Sequence, residues 1–163
     1  MIENQGVKIV VAIICLIFGV LGVYGIYSGL YKRANATDYA YVGKYALYVD
    51  QEGNVEDVSK QNDLLLIRND GSYTKGDTIL FTYHGMGKLA KITKSSGEKY
   101  YLTDSYNSFD SEYQIESYMI AGRVIQRYRG LGWLYNIICT PYASIIILIL
   151  LFFFGMTTLR RNE

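Results

Sequence analysis

The chain has 163 residues, half of them hydrophobic, with a formal net charge of +1, a single histidine, a single proline, two cysteines and 17 tyrosines. A balance this near neutral argues against nucleic acid or a strongly acidic partner. With one histidine, a metal site in the middle of the chain would need several carboxylates, and Glu56 with Asp57 or Asp104 with Asp110 read more simply as solvated surface.

No charged residue lies between Lys8 and Lys32, and residues 9–30 are almost all apolar side chains and glycines. At ~1.5 Å per residue this run crosses a ~30 Å hydrocarbon core, so the sequence predicts a transmembrane helix over 9–30, and Lys8 marks the N-terminus over 1–8 as cytoplasmic. The run exceeds the ~7 to 15 residues of a signal-peptide core, and Leu30-Tyr31-Lys32-Arg33 has no small-residue cleavage pattern, so an uncleaved anchor is expected. Gly19, Gly22, Gly25 and Gly29 recur at spacings of three and four, which puts small residues on one helical face. Such a face lets a second helix approach closely, with Ala143 and Ser144 as partners.

From Lys32 to Gly132 the pattern changes to short alternating segments rich in Tyr, Val, Ile and Thr, which predicts a β domain over 31–133 with strands at 39–49, 64–68, 78–83, 89–94, 100–103 and 118–127. Asn69-Asp70-Gly71-Ser72 and Ser95-Ser96-Gly97-Glu98 are turn signals, and the second fits a hairpin. Tyr39, Tyr41 and Tyr45 share strand parity, as a packed β core or a tyrosine face for an extended peptide would have it. His84 falls in Gly85-Met86-Gly87 surroundings that read as a flexible loop.

Between Arg129 and Arg160 there is again no charge, and a second transmembrane helix is expected over 134–155, with Pro141 inside it and a cytoplasmic C-terminus over 156–163. Tyr24, Tyr27 and Tyr31 close the first span and Trp133, Tyr135 and Tyr142 open the second, as interfacial belts on the domain side. Two spans put both termini on one side. Lys8, Arg160 and Arg161 make that side cytoplasmic, but Lys32, Arg33, Arg123, Arg127 and Arg129 load the other side as heavily, so charge alone leaves orientation open. Cys15 and Cys139 fall in the two spans at depths ~15 Å apart, too far for a disulfide.

The middle of the chain resembles type I signal peptidases, in the branch of archaeal, endoplasmic-reticulum and spore-former enzymes with a C-terminal span. The family's Gly-Ser-Met-x-Pro segment is matched by Gly53-Asn54-Val55-Glu56-Asp57, leading to Asp63-Leu64-Leu65-Leu66-Ile67. Its Gly-Asp strand is matched by Lys75-Gly76-Asp77-Thr78-Ile79-Leu80-Phe81, and its base-bearing strand by Ala90-Lys91-Ile92. Thr103-Asp104-Ser105-Tyr106-Asn107 with Asp110 resembles its later acidic loop, and Gly122-Arg123-Val124-Ile125 and Leu131-Gly132-Trp133 its exit. No one match is specific; their order between two spans carries the resemblance.

The resemblance implies a serine nucleophile, a lysine or histidine base and an oxyanion donor. The serine position here holds Asn54, which has no nucleophile, the base position holds Ala90, which takes no proton, and Asp110 stands at the acid. Lys91 is a displaced-base candidate, but a one-residue shift along a strand turns a side chain to the opposite face. The expectation is therefore a membrane-anchored, mostly β protein with a signal-peptidase-like domain between two transmembrane helices, extracytoplasmic and without cofactor or metal. It is expected to act as a non-catalytic binding or assembly factor for exported or surface proteins, such as those of pili and fibres, that accepts a client backbone along 89–94. The alternative is an active type I signal peptidase with an atypical catalytic pair. A third reading is a tethered module that binds no peptide.

Overall fold

The computed structural model describes residues 3–53, 55, 58–103 and 113–160. The chain divides into two compact units, one formed by Met1–Leu30 with Asn136–Glu163 and the other by Tyr31–Tyr135.

The first helix, α1, runs over Glu3–Asn35. Its stretch Ile9–Asn35 is long and apolar enough to cross a membrane. Lys32 and Arg33 in its last turn complement the helix dipole. The helix stops where Ala36 takes φ +50° and the Thr37 N–H returns to the Lys32 carbonyl at 3.1 Å, a left-handed terminus of the Schellman kind.

The expected continuous helix over 134–155 is broken. Helix α2 covers Gly132–Ile138 and α3 covers Pro141–Arg160, with a 68° bend between their apolar parts. Proline at 141 has no N–H to give the carbonyl four residues back and disfavours helical backbone at Thr140, so the helix must end there. Ser144 repairs part of the break, its hydroxyl donating to the Ile138 carbonyl at 2.7 Å. The expected close approach of small residues is present within this unit at two of the glycines. A Cβ on Gly22 would lie 3.0 Å from Leu148, and one on Gly25 would lie 2.0 Å from Ser144 Oγ and 2.6 Å from the Ile138 carbonyl, whereas one on Gly19 would meet nothing. Outside that contact the surface is apolar, with Leu16, Val20, Phe152 and Phe153 exposed. Cys15 and Cys139 are free thiols.

Among the described residues, the second unit is one antiparallel sheet of eight strands: β1 Ala40–Val42, β2 Tyr45–Val49, β3 Leu64–Arg68, β4 Thr78–Tyr83, β5 Met86–Ser96, β6 Lys99–Thr103, β7 Tyr113–Glu116 and β8 Ile120–Tyr128. Their spatial order is β1-β2-β3-β8-β4-β5-β6-β7, so the last strand in sequence inserts between β3 and β4. Four of the expected strands, 64–68, 78–83, 89–94 and 100–103, fall on or inside β3, β4, β5 and β6. The expected strand over 39–49 is instead a hairpin, because Gly43 takes φ +61° and lets Val42 pair with Tyr45 across a two-residue turn. The segment 118–127 loses its start to a 3-10 turn at Ser117–Met119. His84 is in no flexible loop. It takes φ +50° beside Gly85 at φ +79° in the two-residue turn joining β4 to β5, with Tyr83 paired to Met86.

Two core clusters form, and adjacent strand residues divide between them, as a sheet with both faces covered requires. On β4, Leu80 joins Tyr48, Val55, Leu65, Ile67 and Leu89, while Ile79 and Phe81 join Ala90, Ile92, Tyr100 and Leu102. Strand β8 carries an extra residue against β3 and another against β4, which bends it between its two neighbours.

Candidate functional site

The segment that the resemblance puts at the nucleophile position joins β2 to β3, and two buried aspartates organise it. Asp50 and Asp63 close its neck, with the Asp50 N–H on the Asp63 carbonyl at 3.0 Å and the Asn62 N–H on the Asp50 carbonyl at 2.8 Å. The Asp50 carboxylate accepts the N–H groups of Glu52 at 3.1 Å and Gly53 at 2.9 Å, and the hydroxyl of buried Ser59 donates to its other oxygen. Gly53 takes φ +69°, and a Cβ there would lie 2.7 Å from the Gln61 nitrogen, so no other residue fits without a shift.

Asp63 accepts from the Lys60 N–H at 2.7 Å, from the Gly130 N–H at 2.9 Å and from Arg127 Nε at 2.6 Å. Burial pushes this carboxyl up, but the two backbone N–H groups and the Arg127 guanidinium outweigh it and hold it below the ordinary aspartate value. Gly132 donates to the Asn62 carbonyl at 2.9 Å, where a Cβ would lie 2.6 Å from that oxygen, so the entry to α2 seats on the same loop.

The loop lies against β5. Buried Val55 belongs to the same core cluster as Leu89, and Glu52 approaches Lys88 at 4.0 Å. The first half of β5 is fixed by two further groups, since the Gly87 N–H donates to Asp38 at 3.0 Å and the Gly87 carbonyl accepts the Tyr48 hydroxyl at 2.8 Å. Burial raises the Tyr48 phenol above its ordinary value, with the Asp50, Asp38 and Glu52 carboxylates adding to the effect.

Asn54 and Asp110 lie outside the described residues, as do Glu56, Asp57 and Asp104. Ala90 is buried, 4 % exposed, in the core cluster of Ile79 and Ile92. Lys91 follows on the opposite strand face, exposed, and pairs with Thr78 and Thr103. Ser59 is held by Asp50, an acceptor already taking two N–H groups, and this pins the loop.

The expectation that 89–94 offers a free backbone edge is corrected. From Lys91 onward β5 pairs with β6, and on its other side the Ile92 N–H donates to the Asp77 carbonyl at 2.9 Å while its carbonyl accepts from Gly76 at 2.8 Å. Among the described residues, β5 pairs with β4 alone over 86–90 and with β6 alone over 94–96. A two-residue hairpin alternates bonded and non-bonded pairs, so Gly87 and Leu89 direct their backbone groups away from β4. For Gly87 these groups are the ones held by Asp38 and Tyr48.

Asp50, Asp38 and Tyr48 were not singled out in the sequence, and Asp63 stood there only as the start of a matched strand motif. The available signal was an aspartate at each end of a Gly- and Ser-containing interval between two apolar strands. Among the described residues, no group of three His, Cys, Asp or Glu side chains is arranged to hold a metal ion. No protein-family model matches the chain, and no protein of curated function matches it.

Proposed function

We propose that the chain is a catalytically silent, signal-peptidase-like membrane protein that binds an extended segment of an exported or surface protein without cutting it. The observation that carries this reading is that the loop holding Gly53 and Val55 meets β5, with Val55 in the core cluster of Leu89 and Glu52 4.0 Å from Lys88, while Ala90 belongs to the cluster on the other face of the sheet. This loop and this strand are the segments that match the family's nucleophile and base. Asparagine and alanine at those two positions supply neither nucleophile nor proton acceptor, while a cleft that binds by backbone hydrogen bonds needs neither. The client strand adds beside Leu89, in the stretch of β5 before β6 begins.

In this reading α1 and the bent α2–α3 pair both cross the membrane, the sheet is extracytoplasmic and both termini are cytoplasmic. The uncharged length of each segment supports two crossings. Assembly of surface pili or fibres is the setting that the resemblance favours.

A photo-crosslinking residue in place of Lys88 tests the cleft. It should capture a membrane-anchored exported segment, whereas the same residue at Tyr118, 80 % exposed and away from the loop, should not. Equal capture at both positions would rule out a cleft beside β5.

A further inference from the structure

Lys91, the displaced-base candidate of the sequence, faces a different feature. Strand β4 begins at Thr78, opposite Lys91, but β5 continues to Ser96. The turn before β4 leaves an open groove of about 1000 Å³ beside that extension, lined by Lys75, Lys91, Lys94, Gly76, Thr93 and Ser95 with Ile92. The turn is fixed in place. Asp77 accepts the Thr74 N–H at 2.8 Å and the Thr74 hydroxyl at 3.2 Å, Gly76 takes φ +96°, and its N–H bonds the Ile92 carbonyl.

Three lysines thus line one groove, and among the described residues none of them forms an ion pair. The carboxylate nearest Lys75 in sequence, Asp77, is turned to Thr74. Lys94 is steadied over the Tyr101 ring, its Nζ 5.5 Å from the centroid. Gathering like charges costs free energy that a bound anion recovers, and ammonium groups serve phosphate as point-charge donors. The exposed Ser95 hydroxyl adds a neutral donor at the rim.

We propose that the Lys75, Lys91 and Lys94 groove binds a phosphate-type anion, carried by a lipid headgroup or free in solution. A carboxylate-bearing peptide is disfavoured, because Ile92 already spends its groove-side backbone groups on Gly76 and Asp77 and little strand edge remains for a peptide to pair with.

The full chain in phosphatidylcholine nanodiscs is titrated with inorganic phosphate by calorimetry and, separately, co-floated with phosphatidylglycerol vesicles. Binding in the first arm assigns the site to soluble phosphate, and binding in the second alone assigns it to a headgroup. In either case K75Q/K91Q/K94Q should lose about a hundredfold in affinity, at roughly 1 kcal/mol per lysine. K44Q, at a lysine in a hairpin turn outside the groove, should lose little. The proposal is overturned if neither probe binds, if K44Q matches the triple variant, or if a glutamate-rich peptide binds the groove more tightly than both phosphate probes.

Discussion

Arg127 Nε and the Asp63 carboxylate meet at 2.6 Å with the aspartate side chain 4 % exposed, joining the end of β8 to the start of β3 beneath the nucleophile-matching loop. Removing one member of such a pair leaves a buried charge or orphaned donors. Asp63→Ala should therefore destabilise the domain by about 2 to 4 kcal/mol, read as a lowered unfolding midpoint of the full chain in micelles. Lys88→Ala, whose ion pair with Glu52 is long and exposed, should shift it by less than about 0.5 kcal/mol.

The same carboxylate gives an acid dependence. Its folded value lies below the ordinary 3.8, so its stabilising contribution is present above that pH and is lost as pH falls through the folded value. The buried phenols act at the other end. Burial raises Tyr39, Tyr41, Tyr48 and Tyr73 above the ordinary 10.0, so their contribution is complete below pH 10 and is lost as pH rises through the folded values. Unfolding curves collected across pH should show both flanks. Tyr48→Phe should make the alkaline flank shallower while costing about 1 kcal/mol at neutral pH through the lost bond to Gly87.

Within the helical unit, Gly25→Leu should destabilise by about 1 to 3 kcal/mol, because its Cβ would overlap Ser144 Oγ and the Ile138 carbonyl. Gly19→Leu, into open space, should be close to neutral. Thermal unfolding in micelles distinguishes them, and equal effects would mean the glycine contact is not what holds these helices together.

Much of the sheet could be read from alternation alone. Strands β3 and β4 have the expected boundaries because Leu64 and Thr78 follow turn residues directly and the pattern within each is uninterrupted. The β1–β2 turn was hidden because Gly43 and Lys44 sit in a run that otherwise alternates, and the decisive fact is a backbone angle, φ +61°. Strand β7, Tyr113–Glu116, alternates but is only four residues long, too short to stand out, and it pairs with β6. Pro141 was visible, but the apolar run around it masked the break it causes.

The site was legible only in part. Order and spacing singled out the loop and the strand only through the resemblance, and parity alone separated Ala90 from Lys91. The hydrogen bonds that make Asp50 and Asp63 the frame of the loop are formed across the fold with Ser59, Arg127 and Gly130, and no local spacing announces them.

The proposed topology rests on the two uncharged segments. Protease added to intact cells should cut between Lys32 and Arg129 and leave both termini protected, read with tags at each end. Cleavage of the terminal tags with a protected middle would reverse the orientation, a demanding comparison because basic residues flank both sides.

The most direct measurement incubates the full-length reconstituted chain with an exported precursor and follows precursor and product on one gel, beside a mock preparation. The account expects no product above the mock, because losing the nucleophile of such an apparatus removes roughly 10⁶ in turnover. The intact precursor should be recovered crosslinked to the residue replacing Lys88. Product that forms only with the chain present, and disappears in Lys91→Ala or Ser59→Ala, would contradict it and make the protein a peptidase.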